Sequence, residues 1–206
     1  MSKKKKKTKI AIYQSIVVGL LFVLLFVGIS ILSIVEEEEP ENYPKVTNEV
    51  ENYRSTVEKY AKEYGVSGHV DILLAMMMQE SGGRGSDPMQ SSESYCGEIG
   101  CIQDPELSIK QGVYYFSEVL NDANGDLKLA IQSYNFGRGF IDFVLEETGS
   151  YSQEIAIDFS QQMYENAPDK SIYTCLREEA KKYNACYGDI YYVNSVLDYS
   201  RTLAMQ

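Results

Sequence analysis

A single carboxylate at the end of an apolar run is the first place in this chain where chemistry could be done. Residues 71–90 read DILLAMMMQESGGRGSDPMQ. From Ile72 to Met78 no side chain is charged or polar, so that run belongs in a core. Gln79 and Glu80 end it, and the poor helix formers Ser81, Gly82, Gly83 and Gly85 follow closely. Glu80 therefore falls where a buried helix opens into a loop. Loss of water around its carboxyl would raise the pKa and keep a proton on it near neutral pH, as a general acid requires. A plainer role is open too, in which Glu80 caps its own loop or pairs with Arg84.

The elements that must position Glu80 lie in one all-α domain, expected over 48–206. An amphipathic helix is predicted from Glu49 to Tyr64, with Asn48 and Glu51 forming a capping box and Gly65 as its stop. The buried helix follows over 70–80. Ser81 to Ile102 has no helical period over most of its length, and a loop of that length inside a compact domain is usually functional. Asp104-Pro105 opens the next helix, whose apolar face is Ile109, Val113, Phe116, Val119 and Leu120. Shorter helices are expected at 127–134, 140–145 and 155–164, a polar stretch at 169–188, and a last helix at 189–199. No alternating strand pattern or internal repeat is visible.

In front of the domain stand a basic tail (1–9), an uncharged run from Ile10 to Val35 and an acidic, proline-bearing linker (36–47). The run is long enough to cross a bilayer as a helix. Six lysines precede it, which predicts a single-pass anchor with the tail in the cytoplasm and the domain exported. No small-x-small cleavage site precedes the acid run, which favours an anchor over a cleaved signal peptide. Net charge is −11, and −17 without those six lysines, so the exported part is no nucleic-acid binder by bulk electrostatics.

Four cysteines suit an oxidising location. They allow three pairings, of which Cys96 with Cys101 and Cys175 with Cys186 are favoured because each would staple a segment lacking helical periodicity. With one histidine and no close Cys-x-x-Cys pair, neither a metal nor another cofactor is expected.

Four features in order resemble the lysozyme-like and lytic transglycosylase superfamily. They are Glu80-Ser81 at a helix end, Met89-Gln90, the pattern Ala130…Tyr134-Asn135-x-Gly137, and Tyr192-Val193 opening the final helix. The resemblance covers about residues 48–200 and is greatest to membrane-anchored lysozyme-like domains of Gram-positive bacteria and their conjugative elements. It implies a lysozyme-like helical fold and cleavage of the β-1,4 bond from N-acetylmuramic acid to N-acetylglucosamine in peptidoglycan, with Glu80 as general acid. The partners it implies are glycan strands, the cytoplasmic membrane through the N-terminal helix, and a secretion or conjugation complex.

Two outcomes stay open. A muramidase uses water, with a second carboxylate to activate it or to stabilise the cation; Asp87 is the candidate, ahead of Glu93 and Glu98. A lytic transglycosylase uses the sugar's own C6 hydroxyl and gives a 1,6-anhydro product. The chain departs from the transglycosylase pattern at Asp87-Pro88, where a glycine commonly lies two residues before the Met-Gln. By position, Met89 and Gln90 would line the cleft, Ser81 would orient Glu80 or touch sugar, Tyr134 would lie near the carboxylate, Asn135 would hold substrate or loop, and Tyr192 would close the wall. Met76 to Met78 read as packing. A non-catalytic wall-binding scaffold is the alternative of another class. A serine or cysteine hydrolase fits poorly, because His69 has no nucleophile motif beside it.

Overall fold

The computed structural model describes residues 17–23, 26 and 44–205. Residues 17–23 and 26 are helical and belong to a unit spanning Met1–Asn42, while Tyr43–Gln206 forms a second compact unit. Most of the predicted anchor at 10–35, the basic tail and residues 36–43 of the linker lie outside the described residues. Among the described residues no helix is long and apolar enough to cross a membrane.

The second unit is all-helical over its described residues. Its centre is the apolar run, now helix α3 (Val70–Glu80), in which Leu73, Leu74, Ala75, Met76 and Met77 are fully buried. At about 1.5–3 kcal/mol for each large side chain, this one helix contributes on the order of 10 kcal/mol of apolar burial. Before it come α1 (Asn48–Asn52) and α2 (Arg54–Glu63); after it come α4 (Ser92–Cys96), α5 (Pro105–Asp122) and α6 (Leu127–Phe136). Helices α7 (Gly139–Glu147), α8 (Gln153–Glu165), α9 (Glu178–Lys182) and α10 (Tyr192–Ala204) complete the unit. Helix α10 packs along α3, α6 packs on both α5 and α10, and α2 braces α3 and α5.

Caps account for the boundaries that sequence periodicity misses. The first helix is broken at Tyr53, and Thr47 rather than Asn48 caps it, its hydroxyl accepting from Val50 N and donating to the Gly82 carbonyl at 2.9 Å. Asp104, Asp126 and Ser152 cap α5, α6 and α8 in the same manner. Within the long loop, α4 is a single short turn of helix that five residues are too few to reveal by periodicity. Both expected disulfides are formed, Cys96–Cys101 just after α4 and Cys175–Cys186 across the polar stretch.

Candidate active site

Glu80 ends α3 at the wall of a cavity of about 230 Å³, together with Asp87, Gln90, Ser92, Glu93, Ile99, Gly100, Tyr134 and Asn135. Its carboxyl is pushed up from 4.5 to about 7. Burial is the main cause, a hydrogen bond from Tyr192 opposes it, and the charges of Asp87 and Asp189 add to the rise. The Tyr192 hydroxyl donates to Glu80 Oε1 at 2.6 Å, which leaves Oε2 without that partner. Glu80 does not pair with Arg84, whose guanidinium lies over Gly82.

Asp87 is the opposite kind of carboxylate. Only 8% exposed, it gathers donors on both oxygens. Oδ1 accepts from Ser91 N at 2.9 Å and Ser108 Oγ at 2.6 Å; Oδ2 accepts from Ser92 N at 3.0 Å and Ser92 Oγ at 2.6 Å. Burial pushes its carboxyl up, but the hydrogen bonds from Ser108, Ser92 and the two backbone amides outweigh that and hold it below the usual range. Asp87 is therefore a fixed anion that starts α4 and ties the long loop to α5. Those contacts use lone pairs that activation of a water would require.

Several residues sit elsewhere than the sequence suggests. Met89 is fully buried and does not line the cavity; it packs over Gly112, where a Cβ would come within 2.6 Å of Met89 Cβ and 2.9 Å of the Tyr134 hydroxyl. Tyr134 lines the cavity together with Glu80, and its hydroxyl donates to the Met89 carbonyl at 2.8 Å. Tyr192, 2% exposed, stands behind Glu80 instead of closing the wall. Ser81 neither orients Glu80 nor faces the cavity: its hydroxyl donates to the Pro88 carbonyl at 2.8 Å and accepts from Gly83 N at 3.0 Å, drawing the loop closed. Gln90 is exposed on the cavity at φ 49°, its amide donating to the Asp87 carbonyl at 2.9 Å. Glu93 lines the cavity and Glu98 does not. His69 packs edge-on against Phe116, with ring centroids 5.8 Å apart.

Asn135 holds a loop, and that loop is what delivers Tyr192. Its side-chain oxygen accepts from Asp189 N at 2.8 Å, and Gln132, one turn earlier on α6, donates to the Asp189 carbonyl at 2.9 Å. Asp189, 4% exposed, also accepts two hydrogen bonds from Arg177, each 2.8 Å, and one from Tyr191 N at 2.9 Å. Arg177 reaches on to Ser195 Oγ at 2.7 Å. Gly188 permits the turn, because a Cβ there would lie 2.7 Å from both Asn135 Oδ1 and the Phe136 ring at a φ of +61°. Sequence reading missed Asp189 and Arg177; the only local signal was an acidic residue after glycine, just ahead of the last helix.

The arrangement is one carboxyl with its pKa raised to about 7 at a cavity wall, one fixed anion nearby, and amide and hydroxyl groups around them. It can deliver a proton and stabilise positive charge. The family model described as Lysozyme-like matches residues 47–200. Bifunctional muramidase/DL-endopeptidase CwlT of Bacillus subtilis is 42% identical over 154 residues, 75% of this chain and 42% of that protein. Uncharacterized membrane protein YocA of Bacillus subtilis is 35% identical over 196 residues, 93% of this chain and 85% of that protein. A crystal structure from Staphylococcus aureus, described as similar to lipoprotein, NLP/P60 family, has a TM-score of 0.66 and 38% identity, covering 76% of this chain and 54% of that one. The chain thus spans less than half the length of CwlT and about half of the Staphylococcus aureus chain. With the family model covering nearly the whole helical unit, the chain belongs to the lysozyme-like family.

Proposed function

We propose that this protein cleaves peptidoglycan glycan strands at the β-1,4 bond between N-acetylmuramic acid and N-acetylglucosamine, with Glu80 as the general acid. The observation that carries the reading is a carboxyl held at about 7 on the wall of a polar cavity. At neutral pH about half of it is protonated, so it can give its proton to the bridging oxygen as the C1–O bond breaks. Tyr192 holds Oε1, which suits Oε2 to carry the proton. The anionic Asp87 in the same cavity favours the oxocarbenium ion that forms.

In the muramidase reading, water adds to C1 and its proton passes to Glu80, now a carboxylate. The muramidase named among the relatives supports this outcome. One observation favours the transglycosylase alternative: with the oxygens of Asp87 taken by serine donors, Glu80 is the freer base, and the C6 hydroxyl could attack in place of water. Mass spectrometry of the products separates them, by reducing muramic acid ends or by 1,6-anhydro ends. We place the enzyme in the cell envelope, tethered by residues 10–35; the relative named as a membrane protein supports that location. Protease shaving of intact cells that left the domain untouched would sink it.

A further inference from the structure

The turn that delivers Tyr192 is held from a second side by a segment that does not line the Glu80 cavity. Arg177, just ahead of α9, grips Asp189 with two hydrogen bonds and reaches Ser195 Oγ at 2.7 Å. Asp189 lies three residues before Tyr192 and Ser195 three residues after it, so one guanidinium spans both flanks of the tyrosine. Helix α10 has no side-chain cap from Tyr191 at its N-terminus. Its entry is fixed instead by Asp189, whose carboxylate accepts from Tyr191 N at 2.9 Å and whose carbonyl accepts from Tyr192 N at 3.1 Å. The Cys175–Cys186 disulfide closes the clamp, because Cys175 lies two residues before Arg177 and Cys186 three before Asp189. The ion pair and the disulfide therefore tie the same two segments together.

Burial makes that grip matter. The Asp189 side chain is 5% exposed, and a buried carboxylate stripped of its cation would turn toward water. That motion carries the Asp189 backbone and with it the first turn of α10. The Tyr192 hydroxyl rests on Glu80 Oε1 at 2.6 Å, and a displacement of about 1 Å takes it out of hydrogen-bond range. Among the described residues, the hydrogen bond to the Glu80 carboxyl comes from Tyr192 alone. The other titratable groups facing Glu80 are Asp87 and Glu93 from the long loop and α4, Tyr134 from α6, and Asp189 itself. Helix α1 sets Glu49 against Gly83, and α2 sets Arg54 against Asp71 at the opposite end of α3. We propose that Arg177 is a positioning residue of the cleavage step: clamped by the disulfide, it fixes the first turn of α10 so that the Tyr192 hydroxyl stays on Glu80. The proposal rests on the reading of Glu80 as the proton donor, and Arg177 acts through Tyr192 rather than on the sugar. Without the clamp Glu80 loses the bond that favours its anion, and an unpaired Asp189 adds negative charge; both changes tighten its hold on the proton.

The test reads the proton on Glu80 directly, without turnover. The Glu80 carboxyl carbon of the full chain is followed by carbon-13 NMR as pH is raised, and is identified by its absence from Glu80→Gln. Arg177→Met should raise the titration midpoint by about half a unit to one unit, a roughly three- to tenfold tighter proton. In Tyr192→Phe the same change should move the midpoint by less than about half as much, because the hydroxyl it acts through is gone. Arg177→Lys keeps the charge but not the paired hydrogen bonds, and should fall between the parent and Arg177→Met. It carries the same comparison, with and without the Tyr192 hydroxyl, where Arg177→Met does not fold. Arg201→Met breaks an exposed pair with Asp198 on the same helix and should leave the midpoint in place. On peptidoglycan, the basic limb of the rate profile should move with the midpoint while KM is held. A midpoint that ignores the Arg177 changes, or that moves equally with and without the Tyr192 hydroxyl, overturns the positioning role and leaves the cleavage reading standing. The expected midpoints in a protein that releases no glycan fragments keep the clamp and end the cleavage reading.

Discussion

Replacing Glu80 by glutamine should make the protein more stable, and only above acidic pH. The carboxyl sits at about 7 in the fold against an ordinary 4.5. Between those values the native state holds a proton that the unfolded chain has released, so stability falls as pH rises through the window and levels off above it. At 1.36 kcal/mol per unit, the full penalty is about 3 kcal/mol. Glutamine has the same shape and keeps an oxygen for the Tyr192 hydroxyl, but cannot ionise. The assay is urea unfolding of parent and variant across pH 4–9. Titrations elsewhere in the chain cancel in the difference. Near pH 4 the two should agree within about 1 kcal/mol; near pH 8 the variant should lead by up to about 3 kcal/mol, a large share of a domain's 5–15 kcal/mol. A gap that does not change with pH, or a parent more stable at pH 8, would refute the account of Glu80 as a poorly solvated acid.

Three other substitutions probe the shell around Glu80. Tyr192→Phe removes the donor that favours the ionised carboxyl, so the basic limb of the pH–rate profile should move up by about one unit. Asp87→Asn leaves the buried Ser91 and Ser92 amides short of acceptors, with an expected cost of about 2–4 kcal/mol in unfolding experiments. Because the Asp87 carboxyl is held below its ordinary value, its stabilisation is complete above that value and is lost as pH falls through the lower folded one. The variant should lack that part of the acid-induced loss. Gly188→Ala forces a Cβ against Asn135 and Phe136 at a positive φ, and should cost about 2 kcal/mol or more while lowering kcat, because the turn that delivers Tyr192 must shift.

What the sequence made legible was local. Glu80 could be placed because an unbroken apolar run fixes a buried helix and the residues after it fix its end. The two disulfides join cysteines 5 and 11 residues apart, short enough for each pair to be read as a staple. Contacts made across the fold were not legible. Which tyrosine meets Glu80 is decided by α10 lying along α3, 112 residues away in sequence. The depth of Met89 depends on the missing side chain at Gly112. Asp87 reads as an ordinary Asp-Pro turn until Ser108, 21 residues on, is brought beneath it. The Arg177–Asp189 pair has no periodic or motif signature, since it links a loop to the entry of a helix.

The most direct test is mass spectrometry of purified peptidoglycan incubated with the parent protein and with Glu80→Gln. Parent digestion should release glycan fragments with reducing N-acetylmuramic acid ends, and Glu80→Gln should release almost none despite its equal or greater stability. Fragments released equally well by Glu80→Gln, or no fragments from either protein, would contradict the assignment of Glu80 as the acid that cuts the strand.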